Sequence, residues 1–265
     1  TRKDDAFTPR LGVLWEVRPG TSVYASYTEN FGKFQGVFDW QDNALDPQLS
    51  RQKEIGVKHE SGDGRLSASL ALYDLRKTND AVLAPAHTGC RDQITGFRDP
   101  SGTNPCYRAA GITRARGIEV DLAGELARGW NVLANYSYND TRVLRDDLPG
   151  ADSWVGKRVG YFPANMAKLA TTYKLSSGLL RGWRFGFSVQ YTDQTDLGNT
   201  APQQTITPAY TLMDVMASYG FRIAGQAAEL QLNVKNVADK NYLITASEGY
   251  FTSLGRGDPR TVIAR

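Results

Sequence analysis

Residues 183–191 read WRFGFSVQY, and their alternation decides the fold. Large apolar side chains occupy every odd position of this stretch, whereas Arg, Gly, Ser and Gln occupy the even positions. Successive side chains of a β-strand point to opposite faces, so this period of two predicts a strand with one apolar and one polar face. No long window shows the i, i+3, i+4, i+7 spacing of an amphipathic helix, and the sequence therefore predicts an all-β protein.

The same alternation recurs along the whole 265-residue chain, for example at 65–73, 117–122 and 229–235. Counting such segments predicts about eleven strands. Their expected bounds are roughly 10–18, 22–31, 50–59, 65–77, 111–124, 130–142, 163–175, 183–193, 209–221, 227–237 and 258–265.

The connections between these strands alternate in length. Short connections rich in Gly, Pro and Ser are expected at 19–21, 61–64, 127–129, 176–178 and 224–226. Long polar connections are expected at 32–49, 78–110, 143–162, 194–208 and 238–257. An antiparallel barrel in an outer membrane has short turns on one side and long loops on the other, and the pattern favours this class. An ordinary soluble all-β domain is the alternative.

Composition excludes several other classes. The chain has 31 basic and 28 acidic residues, a net charge of +3, which is too balanced to indicate a nucleic-acid partner. No apolar run approaches the ~18 residues of a membrane-spanning helix. The chain begins TRKDD, without Met or an apolar signal segment, so we expect a mature chain or a fragment.

The two faces of the predicted strands have different environments. We expect the Leu, Val, Phe and Tyr face to meet lipid and the polar face to meet a wet lumen, which agrees with the low mean hydropathy of −0.43. Aromatic girdles belong near the ends of such strands. The candidates for these girdles are Trp15, Trp130, Tyr136, Tyr138, Tyr173, Trp183 and Tyr219.

Seven segments of the sequence are similar to segments of one protein family. They are SVYASYTENF at 22–31, LDPQLSRQKEIGVK at 45–58, RARGIEV at 114–120, GW at 129–130 with YSY at 136–138, YTLMD at 210–214, LNVKNVADKNY at 232–242 and GDPRTV at 257–262. In this order and spacing, the chain resembles the C-terminal half of TonB-dependent outer-membrane receptors, in the siderophore-receptor branch, from end to end.

The resemblance implies an antiparallel up-and-down meander that forms half of a barrel of about 22 strands. Residues 1–265 would be the C-terminal part of the barrel domain, with the plug domain and the first half of the barrel absent. The implied function is TonB-energised uptake of ferric siderophores across the Gram-negative outer membrane. The implied partners are the ferric siderophore, outer-membrane lipid and, through the missing plug, the TonB complex, with no cofactor and no nucleic acid.

The family setting also gives an expectation for the two cysteines. Cys90 and Cys106 lie in the predicted loop 78–110, which would face the cell exterior after folding through an oxidising periplasm. We therefore expect a disulfide between them. A metal site is the alternative, but His87 and the two cysteines supply three ligands where a closed zinc site wants four.

Three further alternatives remain open. A small passive porin or adhesin would close on itself, so that its first and last strands pair with each other. A barrel enzyme would need Asp, Ser and His at the loop side, whereas the chain has only His59 and His87 and none of the common catalytic motifs, so no catalytic residue is predicted. Within the family, the cargo could also be cobalamin, haem or a glycan.

Ligand contacts are expected on the long loops. Aromatic and basic side chains there can bind a ferric chelate by stacking, cation–π contact and charge-assisted hydrogen bonds, although each could instead pack within its own loop. The candidates are Phe34, Phe38, Trp40, Tyr107, Arg108, Trp154, Lys157, Arg158, Tyr250, Phe251 and Arg256.

Overall fold

The computed structural model describes residues 4–32, 38–90, 101–102, 104–148, 153–160, 162–196, 206–248 and 251–265, with only the backbone described at 83, 85–87, 105, 245–248 and 251–253. Its strands are β1 (Arg10–Arg18), β2 (Thr21–Gly32), β3 (Gln48–Glu60), β4 (Leu66–Thr88), β5 (Pro105–Ala127), β6 (Trp130–Arg145), β7 (Asn165–Lys174), β8 (Trp183–Thr192), β9 (Thr195–Asp196), β10 (Ile206–Thr207), β11 (Tyr210–Ile223), β12 (Gln226–Lys235), β13 (Leu243–Glu248), β14 (Phe251–Arg256) and β15 (Thr261–Ala264). Within the described ranges, no helix is long and apolar enough to cross a membrane.

Eleven of these strands form one antiparallel sheet in the order β1-β2-β3-β4-β5-β6-β7-β8-β11-β12-β15. Each strand pairs with the next sheet strand along the chain, so the predicted meander is confirmed. Among the described strands, β1 and β15 each have a neighbour on one side only. This differs from the closed pairing of first and last strands that the small-barrel alternative predicts.

Strand register aligns the apolar side chains into a continuous band. Val57 lies opposite Leu70, Leu70 opposite Val120, and Val120 opposite Tyr136. Leu70 keeps 43% of its surface exposed and Val120 keeps 37%. We call the face that carries this band the outer face. An uncovered apolar band of this length is what a lipid-facing wall requires.

The opposite, inner face is polar. One of its rows runs through Lys58, Ser69, Asp121, Asn135, Lys168 and Gln190, each the Cα partner of the next. The two faces therefore differ as the alternation predicts, with the hydrogen bonds of the backbone made between strands.

Aromatic rings border the outer band at its short-turn end. Trp130 lies opposite Tyr173, which lies opposite Phe185. The ring of Trp183 stacks on that of Phe185 with centroids 5.8 Å apart and lies 5.2 Å from the ring of Tyr219. These positions match an aromatic girdle at a membrane interface.

The prediction of a loop at 78–110 is wrong over much of this range, because most of its described residues lie in strands. β4 continues to Thr88 and β5 begins at Pro105, so the two strands form a long hairpin that extends beyond the rest of the sheet. The alternation is lost there because the register shifts around Asp80 and Asn79 takes a positive φ of 59°. Irregularities of this kind remove the period of two without ending the pairing.

Two other predicted loops contain short hairpins. Within 194–208, the two-residue strands β9 and β10 pair with each other, and within 238–257 β13 pairs with β14. Strands of two residues are too short for an alternation to be seen in the sequence. The strand at 258–265 is also shorter than expected, because β15 covers only Thr261–Ala264.

Two glycines in the recognised segments provide space for tyrosine rings on the inner face. A Cβ on Gly56 would lie 2.6 Å from the ring of Tyr24, and a Cβ on Gly117 would lie 2.5 Å from the ring of Tyr73. Each ring lies across the strand backbone of its neighbour, which fixes the strands against sliding. This packing explains why EIGV at 54–57 and RGIE at 116–119 need glycine.

Candidate ligand site at the long-loop end

A cavity of about 520 Å³ opens at the long-loop end of the sheet, between the β6–β7 and β8–β11 connections. It is lined by Trp154, Lys157, Arg158, Val159, Phe162, Ala164, Asp193, Gln194, Asp196 and Ile206. Three of the predicted ligand-binding residues, Trp154, Lys157 and Arg158, meet here. The volume lies in the range of small-molecule sites.

Asp146 holds the first wall of this cavity in place. Its buried carboxylate accepts hydrogen bonds from the backbone N–H of Trp154, from the N–H of Leu148 at 3.1 Å and from Ser153 Oγ at 3.1 Å. Burial by itself would raise the pKa of Asp146, but these donors outweigh it and hold the pKa below its ordinary value. The charged carboxylate therefore fixes the loop that presents Trp154.

Two cations, Lys157 and Arg158, line the cavity together with Trp154. Lys157 Nζ lies 5.9 Å from the centroid of the Trp154 ring, at the outer limit of a cation–π contact. Arg158 is held more firmly, because its Nη2 donates to Asn139 O at 2.5 Å and its Nε lies 3.5 Å from Asp140 Oδ1. Lys157 is therefore the cation with more freedom to meet a ligand.

Asp193 forms the opposite wall. Its carboxylate accepts from Asn165 Nδ2 at 2.8 Å, from Gln194 N at 2.9 Å and from Tyr191 Oη at 3.3 Å. The hydrogen bond from Asn165 contributes most to holding the pKa of Asp193 below its ordinary value, and Arg158 adds to this effect. The cavity thus has a cationic and aromatic wall facing an anionic one.

This arrangement suits a bulky, mixed ligand. The half-buried ring of Trp154 and the exposed ring of Phe162 offer flat surfaces for stacking. Lys157 can pair with an anionic oxygen, and Asp193 can accept from ligand N–H or O–H groups. No group of three or more His, Cys, Asp or Glu side chains that could hold a metal ion occurs among the described residues.

Cys90 and Cys106 form the expected disulfide, with their Cα atoms 5.2 Å apart. Cys90 Sγ also lies 3.4 Å from the carbonyl oxygen of Asp39 in the first long connection. Asp39 organises that connection by accepting from the N–H groups of Gln41 and Asn43, both at 2.8 Å. The disulfide therefore joins the β4–β5 hairpin and also contacts the neighbouring loop.

The remaining predicted ligand residues lie apart from the cavity. Phe38 forms an isolated bridge with Ala44, and Trp40 is 39% exposed in the same loop. Tyr107 and Arg108 are strand residues of β5, where Arg108 Nη2 donates to Asp147 O at 2.6 Å.

The structure describes only some of the predicted ligand residues in the connection 238–257. Arg256 ends β14 and lines a separate cavity of about 300 Å³ with Asn241, Tyr242 and Leu243. Tyr250 and Phe34 lie outside the described residues, and only the backbone of Phe251 is described.

Sequence reasoning missed seven of the ten cavity residues, among them Phe162, Asp193 and Ile206. Ile206 reaches the cavity because β9 and β10 fold the β8–β11 connection back on itself, and pairs this short leave no periodic signal. Asp193 directly follows the alternating strand β8. Its position as a charged residue at the long-loop end of that strand was the one feature of the sequence that could have indicated a role in the cavity.

An antiparallel meander with an apolar outer face, a polar inner face and a cavity at its long-loop end defines the wall of an outer-membrane β-barrel. The family model described as "TonB dependent receptor-like, beta-barrel" matches residues 1–237. The chain belongs to this family, whose barrels lie in the outer membrane of Gram-negative bacteria.

Named relatives agree with this assignment. A metal-pseudopaline receptor of Pseudomonas aeruginosa is 30% identical over 258 residues, which are 97% of this chain and 32% of the relative. The ferripyoverdine receptor of the same species is 30% identical over 275 residues, covering 99% of this chain and 30% of the relative. A ferrioxamine B receptor of Salmonella typhimurium is 30% identical and covers 88% of this chain and 30% of the relative.

Solved structures show the same fold. The crystal structure of the Pseudomonas aeruginosa ferripyoverdine receptor bound to ferripyoverdine aligns with a TM-score of 0.77 at 29% identity, over 99% of this chain and 33% of that one. A receptor in complex with pyocin S2 aligns with a TM-score of 0.79 at 29% identity, over 100% of this chain and 33% of that one. The chain thus spans about a third of the length of these proteins.

Proposed function

We propose that the chain is the C-terminal part of the barrel of a receptor that takes up ferric siderophores across the outer membrane. The observation that carries this proposal is the loop-end cavity in which Trp154, Lys157 and Asp193 meet, in a chain whose relatives include ferripyoverdine and ferrioxamine receptors. The strands that complete the barrel and the plug that contacts TonB belong to the rest of the receptor.

The chemistry of the cavity supports a chelate rather than a bare ion. A ferric siderophore surrounds its metal with organic oxygen ligands, so the receptor meets flat groups, amides and anionic oxygens. Trp154 and Phe162 can stack on the flat groups, and Lys157 can pair with the oxygens.

Transport in this proposal requires no catalytic chemistry from the barrel. The wall and its loops bind the chelate, and TonB acts on the plug to open a path through the lumen. The polar inner row through Lys58, Asp121 and Lys168 then forms part of a water-lined passage.

The test measures binding of a panel of ferric hydroxamate, catecholate and mixed-ligand siderophores to the intact receptor in detergent, followed by uptake of radioactive iron in cells. We expect at least one chelate to bind. The double substitution Trp154→Ala with Lys157→Gln should weaken the binding of that chelate about tenfold or more. Lys240→Gln is the matched control, since Lys240 is an exposed loop lysine outside the cavity. A receptor that binds none of the panel, or one unaffected by the double substitution, contradicts the proposal.

A further inference from the structure

The cavity at the long-loop end carries charges of opposite sign on its two sides. Lys157 and Arg158 line it from the β6–β7 connection. Asp193 and Asp196 line it from the β8–β11 connection. The cationic side suits the anionic oxygens of a ferric chelate, and the anionic side suits a group of the opposite charge.

Asp193 is held in a fixed position by its neighbours. Asn165 Nδ2 donates to Asp193 Oδ2 at 2.8 Å, and Tyr136 Oη donates to Asn165 Oδ1 at 2.9 Å, so the amide of Asn165 is itself anchored. The backbone N–H of Asp193 also donates to Asn165 O at 3.0 Å. Tyr191 Oη adds a donor to Asp193 Oδ1 at 3.3 Å. The carboxylate is therefore oriented by the protein before any ligand arrives, which lowers the cost of binding one.

The negative charge of Asp193 has no direct counter-ion in the described part of the chain. The donors to its carboxylate are a side-chain amide, a backbone N–H and a hydroxyl, all of them neutral. Arg158 acts on Asp193 only from a distance, because its guanidinium group is engaged with Asn139 O and Asp140. The carboxylate is half-buried, so its attraction for a cation is screened less than at an open surface.

The carboxylate of Asp193 also has room for one more donor. A carboxylate has about four acceptor positions, two on each oxygen. Oδ1 accepts from Tyr191 and from the N–H of Gln194, whereas Oδ2 accepts only from Asn165 among the described residues. A guanidinium group would need both oxygens at once, whereas an ammonium group is a compact charge that needs only the remaining position on Oδ2.

The opposite side of the cavity leaves a cation for the chelate. The exposed side chain of Lys157 lies near the ring of Trp154, with Nζ 5.9 Å from its centroid. We propose that the receptor selects ferric siderophores that carry a protonated amine outside the chelate, with the ammonium group paired to Asp193 and the chelate held against Trp154 and Lys157. This selection rests on the proposed function, uptake of a ferric siderophore, and narrows the class of siderophore.

The test uses two ferric chelates, a linear trihydroxamate and a tricatecholate, each prepared with a free terminal amine and with that amine acetylated. Acetylation removes the positive charge and leaves the iron-binding groups unchanged. A third form of each chelate has the amine dimethylated, which adds bulk but keeps the charge. Binding of all three forms to the intact receptor in detergent is measured by isothermal titration calorimetry.

We expect at least one free amine to bind about tenfold or more tightly than its acetylated form, with the dimethylated form within about threefold of the free amine. Asp193→Asn should bring the three forms to within about twofold of one another, at the affinity of the acetylated form for the wild-type receptor. Asp5→Asn is the matched control, because it removes the same charge from an exposed residue outside the cavity. This control should keep the preference for the free amine.

Several outcomes would overturn the selection. They are equal binding of the free and acetylated amines, a dimethylated form that binds as weakly as the acetylated one, and a preference that survives Asp193→Asn or is lost in Asp5→Asn. Loss of the acetylated form in Asp193→Asn would also overturn it, since Asp193 would then have a structural role. In each of these cases a chelate still binds to the wild-type receptor and the proposed function stands. Absence of binding by every chelate, charged or neutral, would contradict the proposed function itself.

Discussion

The backbone N–H of Asn236 donates to Asp214 Oδ1 at 2.8 Å, which joins the end of β12 to the middle of β11. Asn236 is buried and takes a positive φ of 49°. Its amide group donates to Lys240 O at 3.0 Å and to Asp258 O at 3.1 Å, and its Oδ1 accepts from Lys240 N at 2.8 Å. One side chain thus closes the corner at which the chain leaves the sheet and returns to it.

Replacing Asn236 by Ala removes these three side-chain hydrogen bonds to the backbone of Lys240 and Asp258 and places a residue without a polar side chain at a positive φ. We expect the free energy of unfolding to fall by about 2–4 kcal/mol, measured by urea titration of the intact receptor in lipid vesicles. The exposed Asn241 provides the control, and Asn241→Ala should change the free energy by less than about 0.5 kcal/mol. Equal effects of the two substitutions would show that the hydrogen bonds of Asn236 contribute nothing to the free energy of unfolding.

Gly117→Ala should destabilise the sheet because its Cβ would lie 2.3 Å from the carbonyl oxygen of Tyr138 and 2.5 Å from the ring of Tyr73. The expected loss is about 1–3 kcal/mol in the same urea titration. Gly32→Ala is the matched control, since a Cβ there has no neighbour within 4 Å. An unchanged midpoint for Gly117→Ala would contradict the proposed packing of the ring on glycine.

The loop that presents Trp154 should open in acid. The pKa of Asp146 is lowered in the folded protein, so the carboxylate stabilises the loop above the ordinary pKa of 3.8 and loses this effect as the pH falls below that value toward the folded pKa. Fluorescence of Trp154, taken as the difference between wild type and Trp154→Phe, should report this opening. Asp146→Asn should remove the pH dependence, and a transition that survives this substitution must come from another group.

The disulfide between Cys90 and Cys106 should stabilise the far end of the long β4–β5 hairpin. Cys90 and Cys106 are separated by 16 residues, and closing a loop of this size is worth about 3 kcal/mol in the chain-entropy model. Cys90→Ser with Cys106→Ser should therefore increase proteolysis within 78–110 while leaving the rest of the barrel protected. Alkylation without reductant should label neither cysteine, and labelling of both would contradict the bridge.

The sequence predicts the sheet strands well because their two faces meet different solvents. Alternation such as that of 183–191 persists only where one side of a strand is apolar, and β8 accordingly lies within a residue of its expected bounds. Beyond Thr78, β4 no longer pairs with β3 and the hairpin extends past the neighbouring strand, so the regular alternation of the sheet is lost there. A register shift at Asp80 adds to this loss.

The candidate site could be predicted only in part for a similar reason. Trp154 and Lys157 stand out as an aromatic and a basic residue in a long loop. Asp193 and Ile206 depend on how a second loop folds onto the first, and that contact between distant segments leaves no local pattern. The corner residue Asn236 belongs to a recognised segment, but its role becomes clear only from its bonds to Lys240 and Asp258.

The membrane assignment of the barrel requires that the outer face of the strands meets lipid. Spin labels placed singly at 117–122 of β5, in the intact receptor reconstituted in vesicles, test this by collision with oxygen and with a water-soluble nickel chelate. We predict that labels at Ile118, Val120 and Leu122 collide mainly with oxygen, whereas labels at Glu119 and Asp121 collide mainly with nickel. Equal accessibility at all positions, or nickel access at Ile118 and Val120, would contradict a lipid-facing outer face.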